Sequence, residues 1–349
     1  MHSDYFHKSY LDITKDLLTT DGYKAFIDPA VFAKVAPSSD NNLINGRMTY
    51  DCSLIKDGTS CTSKAGLSKF RFTKGKTHRL RLINTGAEGL QRFSIDGHML
   101  TVIANDFVPI KPYTTKVVTL AIGQRTDILV TPNGSKTDSY WMRSNISTVC
   151  SGANQPYALA AIHMDNADTT KSPTSQAWDV PDPGTCANDD LATTVPYYEM
   201  PAPGLSSGTL MQNYNIAIAP NASGILQWSI NGNSFRADYN NPLLSQVNSG
   251  NLNFPSAANV YNLGKNTSVT WVINNPQAGT PAHPIHLHGH HFWVLHEGPG
   301  EWDGKSIVNV KNPQRRDVQM VRAGGHLVIQ YENDNPGMWG LHVSVHLVV

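Results

Sequence analysis

From about residue 69 to 165 the chain breaks into short runs, KFRFT, HRLRLI, RFSIDG, LTVIA, KVVTLAI, TDILVT and YALAAIHM, set apart by turn residues. Runs this short and rich in β-branched and aromatic residues suit strands whose alternate side chains enter a core. Their recurrence every ~8 to 12 positions predicts an antiparallel sandwich or barrel. The pattern stops over residues 166–205, where NADTTKSPTSQAWDVPDPGTCANDD is polar and punctuated by Pro and Gly. It resumes with YNIAIA, ILQWSING, SVTWVINN, FWVLHEG and HLVIQYEN. The reading is therefore all-β, with β domains at 41–165 and 206–349 joined by a linker at 166–205. The segment YLDITKDLLTTDGYKAF near the start is the one stretch that reads as a helix.

A length of 349 residues suffices for two buried cores. Lys plus Arg equals Asp plus Glu, 27 each, and no dense basic run tracks a phosphate backbone, which argues against a nucleic-acid partner. No apolar run approaches the ~18 to 20 residues that cross a bilayer, and MHSDYFHKSYLD lacks the basic-then-apolar pattern of a signal peptide. Cys52, Cys61, Cys150 and Cys186 are too far apart for a CxxC metal knuckle, and their even number fits two disulfides. A Cys150–Cys186 bridge would staple the linker to the first β domain. Four Asn-x-Ser triplets, at Asn133, Asn145, Asn221 and Asn266, are glycosylation sequons. With paired cysteines they point to an extracellular protein.

Six of the 14 histidines lie between residues 283 and 296, in HPIHLHGHHFWVLH. An isolated histidine is more often structural than a ligand, but this density argues for metal binding. On a strand, His286, His288 and His290 would project from one face, and neutral imidazoles so grouped suit copper, zinc or iron. His283, behind the stiff Pro284, would aim elsewhere. Arg315, Arg316 and Asp317 read as a structural ion-pair cluster, His98 as a packed residue, and Tyr140, Tyr157 and Tyr261 as core aromatics.

HPIHLHGHHFWVL, with NPQRRDVQMVRAGGHLVIQYENDNPGMWGLH after it, resembles the third domain of ascomycete-type fungal laccases, which are multicopper oxidases. RLRLINTG, FSIDGHMLTVIANDFVPI and AIGQRTDILV resemble the copper-free second domain, QWSINGNSF the start of the third, and HSDYFHKSY the last strand of the first. The resemblance implies tandem cupredoxin-like Greek-key β-sandwich domains, with residues 1–40 as the end of a first domain. It implies a secreted, monomeric copper enzyme that oxidises phenols or aromatic amines one electron at a time and reduces dioxygen to water. By position in HPxHLHGH, His283 would bind type 1 copper, His286 type 2 copper and His288 a type 3 copper. His290 matches a histidine that is not a ligand. Asp106 falls where such laccases carry an acidic residue that accepts the phenol proton.

The resemblance also has departures. The family's HWHG and HSH pairs do not occur in this sequence, so the chain reads as a piece without the first domain and the C-terminal end. Where the family has WxxHCHIxxH, this chain has Trp339-Gly-Leu-His342-Val343-Ser344. Read without a gap, Val343 replaces the type 1 cysteine, Ser344 replaces a type 3 histidine, and the last histidine falls on Val348. Read with HCHIAW dropped out, His342 becomes the final type 1 histidine; sequence alone leaves both readings open. In either case the thiolate is missing, and at most one loosely held metal ion is expected. The expected function is a laccase-like oxidase, inactive as this chain alone. The alternative is a non-catalytic cupredoxin-like remnant that binds a metal ion or a partner. A mononuclear metal hydrolase built on His286 and His288 would need a carboxylate base, such as Glu297 or Glu301.

Overall fold

The computed structural model describes residues 1–19, 38–205, 209–277 and 281–343. The chain divides into two compact units. The first holds Met1–Tyr10 and the described part of Pro37–Tyr197; the second holds the residues from Leu11 to 19 and the described part of Tyr198–Ser344. The expected helix forms over Tyr10–Leu17 (α1), and residues 20–26 of the helical segment lie outside the described residues.

In the first unit the strands are β1 His2–Tyr5, β2 Asn41–Ile44, β3 Ser68–Phe72, β4 His78–Ile83, β5 Gln91–Ile95, β6 Leu100–Asn105, β7 Val108–Thr115, β8 Val118–Leu120, β9 Arg125–Val130, β10 Ser139–Ile146 and β11 Tyr157–Met164. They form sheets in the orders β3-β11-β10-β5-β8 and β4-β9-β6-β7, with β1 and β2 as a separate pair. Alternation sends Phe93 and Ile95, Leu100 and Val102, and Ile128 and Val130 into one shared core, so this unit is a β-sandwich. Besides the short β1 and β2, two longer strands fall outside the runs that stand out in the sequence. VPIKPYTT carries Pro109 and Pro112, and the sheet tolerates them because β7 is an edge strand. SYWMRSNI is interrupted by Arg143, whose guanidinium is taken up by Asp96 at 2.7 and 2.9 Å.

Residues 166–205 contain no strand, yet they are fixed by side chains. Ser175 donates to the Asp96 carboxylate at 2.7 Å, and the Trp178 indole donates to the Ile95 carbonyl at 3.0 Å. Cys150–Cys186 ties the same segment to the sandwich, and Cys52–Cys61 forms the second disulfide. None of the four cysteines is free.

In the second unit the strands are β12 Leu210–Pro220, β13 Leu226–Ile230, β14 Ser268–Asn275, β15 His283–Leu287, β16 Phe292–Pro299, β17 Gln314–Arg316, β18 Val318–Val321, β19 Gly325–Glu332 and β20 Leu341–Val343. A six-stranded sheet, β13-β12-β14-β19-β16-β17, accompanies a three-stranded one, β18-β15-β20. SVTWVINN has no alternation because β14 is covered on both faces: Trp271 and Ile273 are buried on one, and Val272 packs with Trp293, Leu295 and Val328 on the other. Besides α1, the helices described here are short: Leu243–Asn248 (α2) and a single 3-10 turn at Ser256–Ala258. Tyr157 and Tyr261 are exposed rather than core residues, at 45% and 37%, although the Tyr261 ring packs edge-on against Tyr214.

Candidate metal centre

β15 lies between β18 and β20, and that placement sorts the histidines. Period two puts His283, Ile285 and Leu287 on the buried face and His286 on the other. On β20, His342 is the direct cross-strand partner of His286, and Val343 that of Ile285. Direct partners share a face, so His342 stands with His286, and Val343 points to the side that holds His283.

The strand ends at Leu287, and the turn at Gly289 adopts φ +74°. A Cβ there would lie 2.5 Å from the Trp339 indole, so only glycine fits. Past this turn His290 is diverted from the row of histidines. Its Nδ1–H donates to the His288 carbonyl at 3.1 Å, and its ring rests against Tyr331. The trio on one face is therefore His286, His288 and His342, whose ligand nitrogens all lie within 4.8 Å of one another.

Backbone carbonyls set the tautomers. The Asp317 carbonyl accepts from His286 Nδ1 at 2.7 Å, and the Val343 carbonyl accepts from His342 Nδ1 at 2.9 Å. A carbonyl oxygen only accepts, so both Nδ1 atoms carry the proton and both Nε2 atoms present a lone pair. His288 Nε2 lies 2.9 Å from His342 Nε2 and donates to it. Burial, and then the neighbouring His286, hold His288 below the ordinary histidine range. To bind a cation through Nε2, His288 would carry its proton on Nδ1 instead. The donor set, three imidazoles with backbone carbonyls orienting two of them, suits copper.

His283 is 1% exposed, its ring lies 4.6 Å from that of Trp228, and its buried Nε2 has no hydrogen-bond partner. Burial holds it down to about 4, so it is a neutral imidazole with a free lone pair. A blue copper site would also need a thiolate, and both cysteine pairs are disulfides. Val343 occupies the facing position; Ser344 and Val348 lie outside the described residues.

Asp106 is fully buried, at the tip of the β6–β7 hairpin, with φ +44° followed by φ +70° at Phe107. Its carboxylate accepts the Arg125 backbone N–H at 2.8 Å, and the Arg125 guanidinium covers the Phe107 ring at 4.7 Å. Arg315 donates to the Tyr198 carbonyl, Arg316 to Gln319, and Asp317 supplies the carbonyl that orients His286. No sequence signal could mark that carbonyl, since every residue has one. His98 is packed edge-on against Tyr140, as expected. Glu297 is buried with Gln319 and Arg322, and no carboxylate joins the histidine cluster among the described residues, which leaves a hydrolase without its base.

Family models described as multicopper oxidase match residues 1–167 and 212–347. The chain belongs to the multicopper oxidases. Among curated multicopper oxidases, Laccase-2 of Botryotinia fuckeliana is 35% identical over 316 residues, which are 88% of this chain and 53% of that protein. Laccase-3 of the same organism is 35% identical over 325 residues, 88% of this chain and 68% of its own length. The crystal structure of the laccase from Botrytis aclada aligns with a TM-score of 0.83 at 30% identity, covering 99% of this chain and 60% of that one. Both units thus have the cupredoxin-like fold of multicopper oxidases. The chain spans about half the length of the first curated relatives it matches.

Proposed function

We propose that this chain supplies the second and third domains of a secreted, monomeric laccase-type oxidase, at residues 41–165 and 206–349. Residues 166–205 would be the linker, and 1–40 the end of a preceding domain. The reaction of the whole protein would be one-electron oxidation of phenols or aromatic amines coupled to reduction of dioxygen to water. The observation that carries this reading is the convergence of His286, His288 and His342, with tautomers set by the Asp317 and Val343 carbonyls.

His286, His288 and His342 would hold copper, and His283 would keep the position of a type 1 ligand whose thiolate partner this chain does not supply. Copper, when bound, accepts electrons singly and passes them to oxygen. The protein's own contribution is to aim three imidazoles at one point before the ion arrives. We assign Asp106 to holding its hairpin rather than to proton transfer, because its carboxylate is sealed from solvent and taken up by Arg125.

The residues do not fit a type 1 centre. With Val343 in the thiolate position and every cysteine in a disulfide, this chain alone would bind metal without turning over. This supports the second reading, a cupredoxin-like metal-binding remnant. Oxygen uptake with a diphenol tests both readings. None is expected from the purified chain, and sustained uptake would refute the ligand inventory.

A further inference from the structure

The turn after β1 carries a histidine that the metal centre does not use. Tyr5 pairs with Asn41 across β1 and β2, and that register brings His7 beside Asp40. Both ring nitrogens of His7 face carboxylates: Nδ1 lies 2.8 Å from Asp40 Oδ2, and Nε2 lies 2.9 Å from Asp57 Oδ2. A carboxylate only accepts, so both nitrogens donate and the ring is an imidazolium. Asp40 Oδ2 also accepts the His7 backbone N–H at 2.7 Å.

Asp57 belongs to the short loop closed by Cys52–Cys61, in which residues 53–60 are exposed apart from the half-buried Ile55. Among the described residues, the other hydrogen bonds of 53–60 are local. Ser53 and Leu54 donate to Asp51, Ile55 to the Cys52 carbonyl, Lys56 to the Ser53 carbonyl, and the Thr59 backbone N–H to Asp57. The bond to His7 is therefore the one that ties these residues to a distant part of the first unit.

We propose that His7 is a proton-operated latch for the Cys52–Cys61 loop, closed while the imidazole carries two ring protons and open once it has lost one to water. Asp40 keeps its bond to the neutral ring. Its Oδ2 is held by the backbone N–H as well as Nδ1, and it is the less exposed carboxylate, at 17% against 48% for Asp57. Nε2 then turns a lone pair on Asp57 Oδ2, and two acceptors repel. Asp40 and Asp57 are the charged groups that act on His7, and the Asp40 hydrogen bond leads in raising it above the ordinary histidine value of 6.5. The latch is fully closed below 6.5 and opens as pH rises through the raised value. Asp57, held down to about 2 chiefly by the Thr59 backbone N–H, stays ionised throughout. Tyr50, near the same carboxylates, is raised by burial and then by Asp40, so it stays neutral in that window.

Proteinase K nicking of the purified chain is timed at pH 5 and pH 9, with a disordered reference peptide correcting for the protease's own pH response. A cut inside 53–60 leaves one disulfide-linked molecule that separates into two fragments only on reduction, and peptide mass spectrometry places it. Nicking there is expected to rise about two- to fivefold in the parent between the two pH values, the effect of losing one exposed ion pair. Asp57→Asn is expected to stay latched at both, because an amide accepts from the charged ring and donates to the neutral one. His7→Phe is expected to be nicked at the faster rate at both, with matched melting temperatures showing that the variants fold. NMR titration of the His7 ring should place its midpoint above 6.5. A parent rate independent of pH, a pH response that survives in His7→Phe, or a His7 midpoint at or below 6.5 overturns the proposal.

Discussion

His286 and His342 face each other across β15 and β20, and His288 reaches the same point from the turn that follows. Replacing any one of the three by Ala should weaken Cu²⁺ binding at least ~10- to 100-fold, whereas His290→Ala should leave it unchanged; chelator competition measures both. The three HPIHLH positions could be picked from sequence because histidine is rarely so dense. The place of His342 could not, because its pairing with His286 depends on a strand more than fifty residues away. Val343→Cys would set a thiolate on the face that holds His283, and a copper-loaded sample should gain a blue absorption band that the parent lacks. A titrating residue of the first unit is His2. His2 is buried with neither ring nitrogen hydrogen-bonded, and burial followed by the N-terminal charge holds it down to about 3. The folded chain keeps it neutral while the unfolded chain protonates it below its ordinary value. Stability should therefore fall as pH drops from about 6.5 toward 3, by about 2–4 kcal/mol. Urea melts at pH 7 and pH 4 should show that slope, reduced in His2→Leu.

The alternating runs of the first unit appear as strands where the sequence places them, since a half-buried strand writes its own period. β7 and β10 escaped because an edge position excuses two prolines and because Asp96 neutralises Arg143. Composition likewise describes 166–205 as a linker but cannot show that Ser175, Trp178 and Cys186 bolt it down. The Cys150–Cys186 bridge closes 36 residues of chain, so replacing both cysteines by Ser should lower stability by ~3–4 kcal/mol, measurable by denaturant melts without reductant. The turn after β15 is more sensitive than its length suggests. Gly289→Ala places a methyl into Trp339 and strains a left-handed backbone. It should cost about 1–3 kcal/mol and also weaken metal binding, because His288 follows the strand end directly. A copper titration of this variant, alongside its melting curve, checks both effects.

For the whole molecule, both units belong to the multicopper oxidase family, yet among the described residues only His286, His288 and His342 form a cluster of three or more metal-ligating side chains, and every cysteine is held in a disulfide. The fold could be read from strand rhythm and long motif matches. The centre could be read only in part, because its remaining determinants are backbone carbonyls and cross-strand register. The decisive measurement is electron paramagnetic resonance and visible absorption of the purified chain titrated with Cu²⁺, beside the same titration of His286→Ala. The parent should bind about one ion with nitrogen hyperfine structure and no blue band, and the variant should lose that signal. An intense blue thiolate band in the parent, or an identical signal in His286→Ala, would contradict the assignment of copper to His286, His288 and His342.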